Sequence, residues 1–103
     1  MTDTIETRTT LLYQAPELLR GDSHDNRVDT WSAGVILYYM CSRKYPFDHK
    51  NIGTVVAMIL SETRPCYPLD EVSDTMNDLI IMCLEKDPNK RPRIDQILLH
   101  PMI

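Results

Sequence analysis

Apolar residues at Ile52, Val55, Val56, Ile59 and Leu60 recur three and four positions apart, and this stripe predicts a helix opened by Asn51. A second one-sided stripe, Val72, Met76, Leu79, Ile80 and Cys83, predicts another helix, begun by Asp70 or Ser73. Ile94, Ile97 and Leu98 mark a short last helix, closed by His100 and Pro101. Between residues 27 and 43 the pattern changes. Trp31, Val35, Tyr38 and Tyr39 form one face, but Ala33, Ile36, Leu37 and Met40 fill the others. Such a helix, apolar all round, is expected to be the buried centre of a domain. Its β-branched residues would also suit a strand; its length favours helix. In "APELLRG" a short helix is expected, with Pro16 at its start, Glu17 complementing its positive end and Gly21 stopping it. Residues 1–13, with Thr2, Thr4, Thr7, Thr9 and Thr10 and no periodic apolar face, read as a loop. No segment alternates with period two. The expectation is an all-α fold of five unequal helices without internal repeats.

Composition narrows the function classes. A chain of 103 residues holds one domain at most, or a piece of one. With 43% hydrophobic and 25% charged residues it is globular in kind. Its net charge of −4, without a basic block, gives no sign of a nucleic-acid or anionic-membrane surface. Cys41, Cys66 and Cys83 are scattered, as are His24, His49 and His100, so neither a disulfide framework nor a metal site is expected. The longest apolar stretch, Ala33 to Cys41 with Gly34 inside it, falls far short of the ~18 residues of a membrane span. The N-terminus lacks the apolar core of a signal peptide. A reducing, intracellular, cytoplasmic setting follows.

One short connector raises a specific question. In "EKDPNKRPRIDQILLHP", residues 85–101, Arg91 is held between Lys90 and Pro92 where one helical pattern has stopped and the next has not begun. It is either an ordinary solvated charge, worth ~0–1 kcal/mol in any surface pair, or half of an ion pair whose carboxylate lies elsewhere in the chain.

Taken together, four segments resemble, in order, the C-terminal half of a eukaryotic serine/threonine protein kinase domain. "TLLYQAPE" (10–17) resembles the end of the activation segment, and "DTWSAGVILYYM" (29–40) the opening of the lobe's central helix. "YPF" (45–47) resembles the loop after that helix, and "CLEKDPNKRP" (83–92) with "ILLHP" the lobe's closing signature. The resemblance implies an incomplete, helical C-terminal lobe of the protein-kinase-like fold, spanning residues 1–103 as a partial kinase domain.

What the resemblance implies for individual residues is as follows. Glu17 and Arg91 would form a structural ion pair, and a stiff connector suits arginine's planar fork. Asp29 and Trp31 would anchor the catalytic loop. Thr10, Leu11, Leu12 and Tyr13 would bind substrate beside the acceptor hydroxyl, with Thr10 pointing to serine/threonine specificity. Thr7 and Thr9 fall where activation-loop phosphorylation occurs. The helix of residues 51–61 would contact a protein substrate or a kinase partner. The complete enzyme would use ATP and Mg to transfer the γ-phosphate to protein hydroxyls.

This chain carries none of the residues for that step. Gly21, Gly34 and Gly53 are its only glycines, so no G-x-G-x-x-G loop exists, and H-R-D-x-x-x-x-N and D-F-G are also absent. No catalytic residue, cofactor site or metal site is expected within it, and alone it should be inactive. Three positions depart from the family pattern: Thr9 replaces a glycine, Tyr39 an acidic residue, and Arg93 the serine or threonine that caps the last helix. The alternative is a non-catalytic kinase-like module that binds a protein partner. Exposed apolar surface on helix 29–41 would favour a lobe severed from its partners.

Overall fold

The computed structural model describes residues 5–103, with side chains from Thr9 onward. Six helices follow one another: α1 (Ile5–Leu12), α2 (Pro16–Arg20), α3 (Arg27–Ser42), α4 (Ile52–Leu60), α5 (Asp74–Cys83) and α6 (Ile94–Ile97). The described residues contain no strand.

The helix ends follow local chemistry. Pro16 opens α2, and Gly21 ends it at φ 75°, donating its N–H to the Leu18 carbonyl at 3.1 Å. Asn51 caps α4, its Oδ1 accepting the Thr54 N–H at 3.2 Å. Ser73 rather than Asp70 caps α5, its Oγ accepting the Met76 N–H at 3.1 Å. At α6 the arginine in the cap position has no acceptor to offer. Gln96 compensates from the other side, its Oε1 accepting the Arg93 N–H at 2.8 Å.

Two expectations are corrected. The loop expected over residues 1–13 is helical from Ile5 to Leu12; the first four positions lie outside the described residues. Threonine is a weak helix former, but Leu11 and Leu12 are buried at the helix's end, and that burial outweighs propensity. The all-round burial expected of α3 also fails. Trp31, Gly34, Val35 and Tyr38 are buried, whereas Ile36 is 47% and Met40 68% exposed.

The buried side of α3 organises the rest. It packs against α5 and α6, while α4 lies against α1 and α2. Trp31 stacks on Phe47 at 5.9 Å between centroids, in a core with Leu12, Val55, Ile59 and Ile80. Leu79, Cys83 and Ile97 form a smaller cluster. Gly34 sets the α3–α5 spacing: a Cβ there would stand 2.6 Å from the Cys83 Cβ and 3.0 Å from Leu84. Asn77, buried on α5, pins the loop before it. Its Oδ1 accepts the Leu69 N–H at 2.8 Å, and its Nδ2 reaches the carbonyls of Leu69, Val72 and Ser73, each at 3.3 Å.

Candidate functional site

The connector after α5 folds into a tight turn around Asp87. Its carbonyl accepts the N–H groups of Lys90 and Arg91, both at 3.0 Å, and its Oδ1 accepts that of Asn89 at 2.9 Å. This turn fixes the backbone from which the Arg91 side chain leaves. On the facing side, Pro16 opens α2 and Gly21 closes it, with Glu17 in its first turn.

Glu17 and Arg91 meet there, 2% and 1% exposed. Arg91 donates from Nη1 to Glu17 Oε2 at 2.6 Å and from Nη2 to Oε1 at 3.0 Å. Its other donors go to carbonyls: Nε to Glu85 at 2.7 Å, Nη1 to Arg27 at 3.1 Å and Nη2 to Lys86 at 3.3 Å. All five guanidinium N–H groups are therefore used. The group also lies 5.1 Å over the Trp31 ring. Desolvating two charges is costly, so this pair is weak evidence of net stabilisation; losing one partner, however, would strand the other. Arg27 closes the junction, its Nε donating to the Arg91 carbonyl at 3.0 Å. Nearby, burial pushes the Cys83 thiol up to about 11, opposed by the charge of Arg91.

Thr9 and Thr10 are exposed on α1, and the side chain of Thr7 lies outside the described residues. Leu11 and Leu12 are buried, facing the interior rather than solvent. Tyr13 is half-buried. Its hydroxyl donates to that of Tyr45 at 3.4 Å, their rings meet edge-on at 5.7 Å, and Ser32 Oγ donates to the Tyr13 carbonyl at 3.0 Å. That hydrogen bond from Tyr13, with partial burial, raises the Tyr45 hydroxyl above its ordinary range.

Asp29 and Trp31 part company. Asp29 is exposed in the first turn of α3, while Trp31 is fully buried beneath Arg91. The indole Nε1 of Trp31 and the hydroxyl of Thr30 are buried without a hydrogen-bond partner among the described residues. Each such group carries a desolvation cost that a further partner would relieve.

Sequence reasoning passed over Lys86. Its Nζ donates to the carbonyls of Met58 at 2.7 Å and Ser61 at 2.6 Å, and it lies 4.6 Å over the Phe47 ring. One side chain thus ties the connector to the end of α4. Burial pushes its ammonium down to about 8; Arg64 and Arg20 act in the same direction, and Glu62 opposes them. Only the unusual density of charge around residues 85–91 hinted at it.

The expected contact helix, residues 51–61, buries Val55 and Ile59 in the core and leaves Gly53 and Ala57 exposed. Among the described residues no group of three or more His, Cys, Asp or Glu side chains converges to hold a metal. No helix among the described residues is long and apolar enough to cross a membrane.

The protein-family profile described as "Protein kinase domain" matches residues 2–103. The chain is 38% identical over 96 residues to mitogen-activated protein kinase kinase 3 of Arabidopsis thaliana, covering 91% of this chain and 18% of that protein. It is 36% identical over 95 residues to calcium/calmodulin-dependent protein kinase type I of Schizosaccharomyces pombe, covering 88% of this chain and 28% of that protein. Among solved structures, the twitchin kinase region from C. elegans superposes with a TM-score of 0.83 at 31% identity, over 92% of this chain and 17% of that one. The chain thus spans under a third of the length of these relatives.

Proposed function

Because the chain belongs to the protein kinase domain family, we propose that it is the substrate-side part of a serine/threonine protein kinase. The complete enzyme transfers the γ-phosphate of MgATP to protein hydroxyls, and this chain alone does not. ATP and magnesium are handled by groups outside these residues. Within the chain, Thr10, Leu11, Leu12 and Tyr13 shape the acceptor side, and Thr7 or Thr9 receives activating phosphate. Glu17 and Arg91 lock that segment to the base of the lobe, while Asp29 and Trp31 support the catalytic loop.

The observation that carries this reading is the contrast around α3. Its inner side is tightly packed, yet Ile36 and Met40 stand exposed, and Thr30 and Trp31 hold buried polar atoms without partners among the described residues. A face built of aliphatic side chains is what a covering element would leave behind, whereas a free-standing binding module would carry polar residues there. The competing reading, a non-catalytic module docking partners through residues 51–61, has less support, since the apolar stripe of α4 is already partly used inside the chain.

The test is the mass and activity of the endogenous protein captured by an antibody against residues 65–80. A product much heavier than 12.0 kDa that phosphorylates a generic serine/threonine substrate with MgATP supports the proposal. A stable 12.0 kDa product without activity in any complex would overturn it and favour the docking module.

A further inference from the structure

A second feature lies beside the Glu17–Arg91 junction, since Glu85 and Lys86 belong to both. The end of α2, the end of α4 and the connector after α5 enclose a cavity of about 410 Å³, within the ~300–1,000 Å³ range of small-ligand sites. Four cations line it: Arg20, Arg64, Lys86 and Lys90. None of them is ion-paired with a carboxylate among the described residues.

Their acidic neighbours offset them only in part. Three acids also line the cavity, Glu62, Glu85 and Asp87. Asp87 is engaged by the Asn89 N–H, and Glu62 opposes the effect of the cations on Lys86 without an ion pair to any of them. Among the described residues, Arg20 makes one long bond, from Nη2 to the Leu60 carbonyl at 3.4 Å, and the side chains of Arg64 and Lys90 make none. Lys86 uses two of its three donors on the carbonyls of Met58 and Ser61, which leaves one for a ligand. The chain as a whole carries a charge of −4, so a cavity with more cations than acids is a local reversal of sign.

We propose that this cavity binds a phosphate group, held by the guanidinium groups of Arg20 and Arg64 and the ammonium groups of Lys86 and Lys90. Arginine forks match tetrahedral phosphate oxygens, and a dianion answers several unpaired cations at once. The bound group joins three segments that are distant in sequence, so its occupancy stiffens the base on which the Glu17–Arg91 pair rests. The inference does not depend on the kinase reading.

The test is calorimetric titration of the chain at fixed ionic strength with a phosphothreonine peptide, the same peptide carrying glutamate, and inorganic phosphate. Saturable binding of the phosphopeptide, weakened about tenfold or more in the Arg64→Gln/Lys90→Gln variant, supports the proposal. That variant should melt at the wild-type temperature without ligand, because neither side chain holds the fold; Arg64→Gln alone serves if it does not. Phosphopeptide binding tighter than inorganic phosphate makes the source a modified side chain, and equal binding makes it free phosphate; both support the site. Equal affinity for the glutamate peptide, binding unchanged in the variant, or no saturable binding would overturn it.

Discussion

The two ends of the first turn of α3 could hardly be more different. Behind it, the Arg91 side chain uses every donor it has, on a carboxylate and three carbonyls drawn from three segments of the chain. In front, Asp29 is exposed to solvent, and Ile36 and Met40 lie open about two and three turns further along the same face. One region is complete in itself and the other waits for a surface. The lesson is that a lobe-sized piece of a kinase domain can satisfy its costliest charges internally while leaving its apolar face to a neighbour.

The sharpest way to break this contrast is to remove the cation. Arg91→Ala should destabilise the chain by ~3–5 kcal/mol in chemical denaturation, because Glu17 and three carbonyls lose their donor in a dry site. Since small domains are stable by only ~5–15 kcal/mol, much of the population would unfold. An unchanged denaturation midpoint would mean that the junction is wetter than its burial indicates.

The packed side has a second weak point at Gly34. Gly34→Ala should cost ~1–3 kcal/mol, since the new methyl overlaps Cys83 and Leu84. Thermal melting would show it, and Cys83→Gly in the same chain should recover part of the loss.

The buried thiol gives a pH dependence on the same side. Cys83 holds its proton more tightly in the folded chain than in the unfolded one, where it titrates near 9.0. The stability it contributes is therefore fully present below pH 9.0 and lost as pH rises toward about 11. Against Cys83→Ala, the wild type should lose on the order of 2 kcal/mol more across that window. Parallel pH profiles would show that the thiol is not shielded.

On the open side the expectation reverses. Ile36→Asn and Met40→Gln should each change stability by no more than ~0.5 kcal/mol, because neither side chain is packed. They should also reduce self-association in sedimentation. A loss comparable to that of Gly34→Ala would mean that this face is already covered, and the contrast between the two sides would fall.

Much of this architecture could be read ahead of the coordinates, and the reasons are local. Asn51 and Ser73 stand at the heads of regular apolar stripes, and Pro16 and Gly21 bracket α2, so periodicity and capping chemistry located five helices. α1 was missed because its threonines argue against helix, and only the burial of Leu11 and Leu12 decides the matter. The exposure of Ile36 and Met40 was equally hidden: an apolar pattern reports what a helix is made to bury, not what is present to cover it. At the site, spacing within the sequence cannot reveal that Arg91 meets a carboxylate 74 residues away. Lys86 and Asn77 were invisible for a related reason. Each is a polar residue whose hydrogen-bond partners are backbone groups, and those leave no trace in side-chain identity.

That separation of 74 residues has a consequence for the order in which the protein comes into being. Glu17 leaves the ribosome 74 residues ahead of Arg91. Over that interval the carboxylate lacks this counter-charge, so α2 cannot settle into a dry interior and must stay hydrated. The short C-terminal connector is thus the clasp of the fold, and the acceptor segment beside α2 becomes fixed only when the end of the lobe arrives.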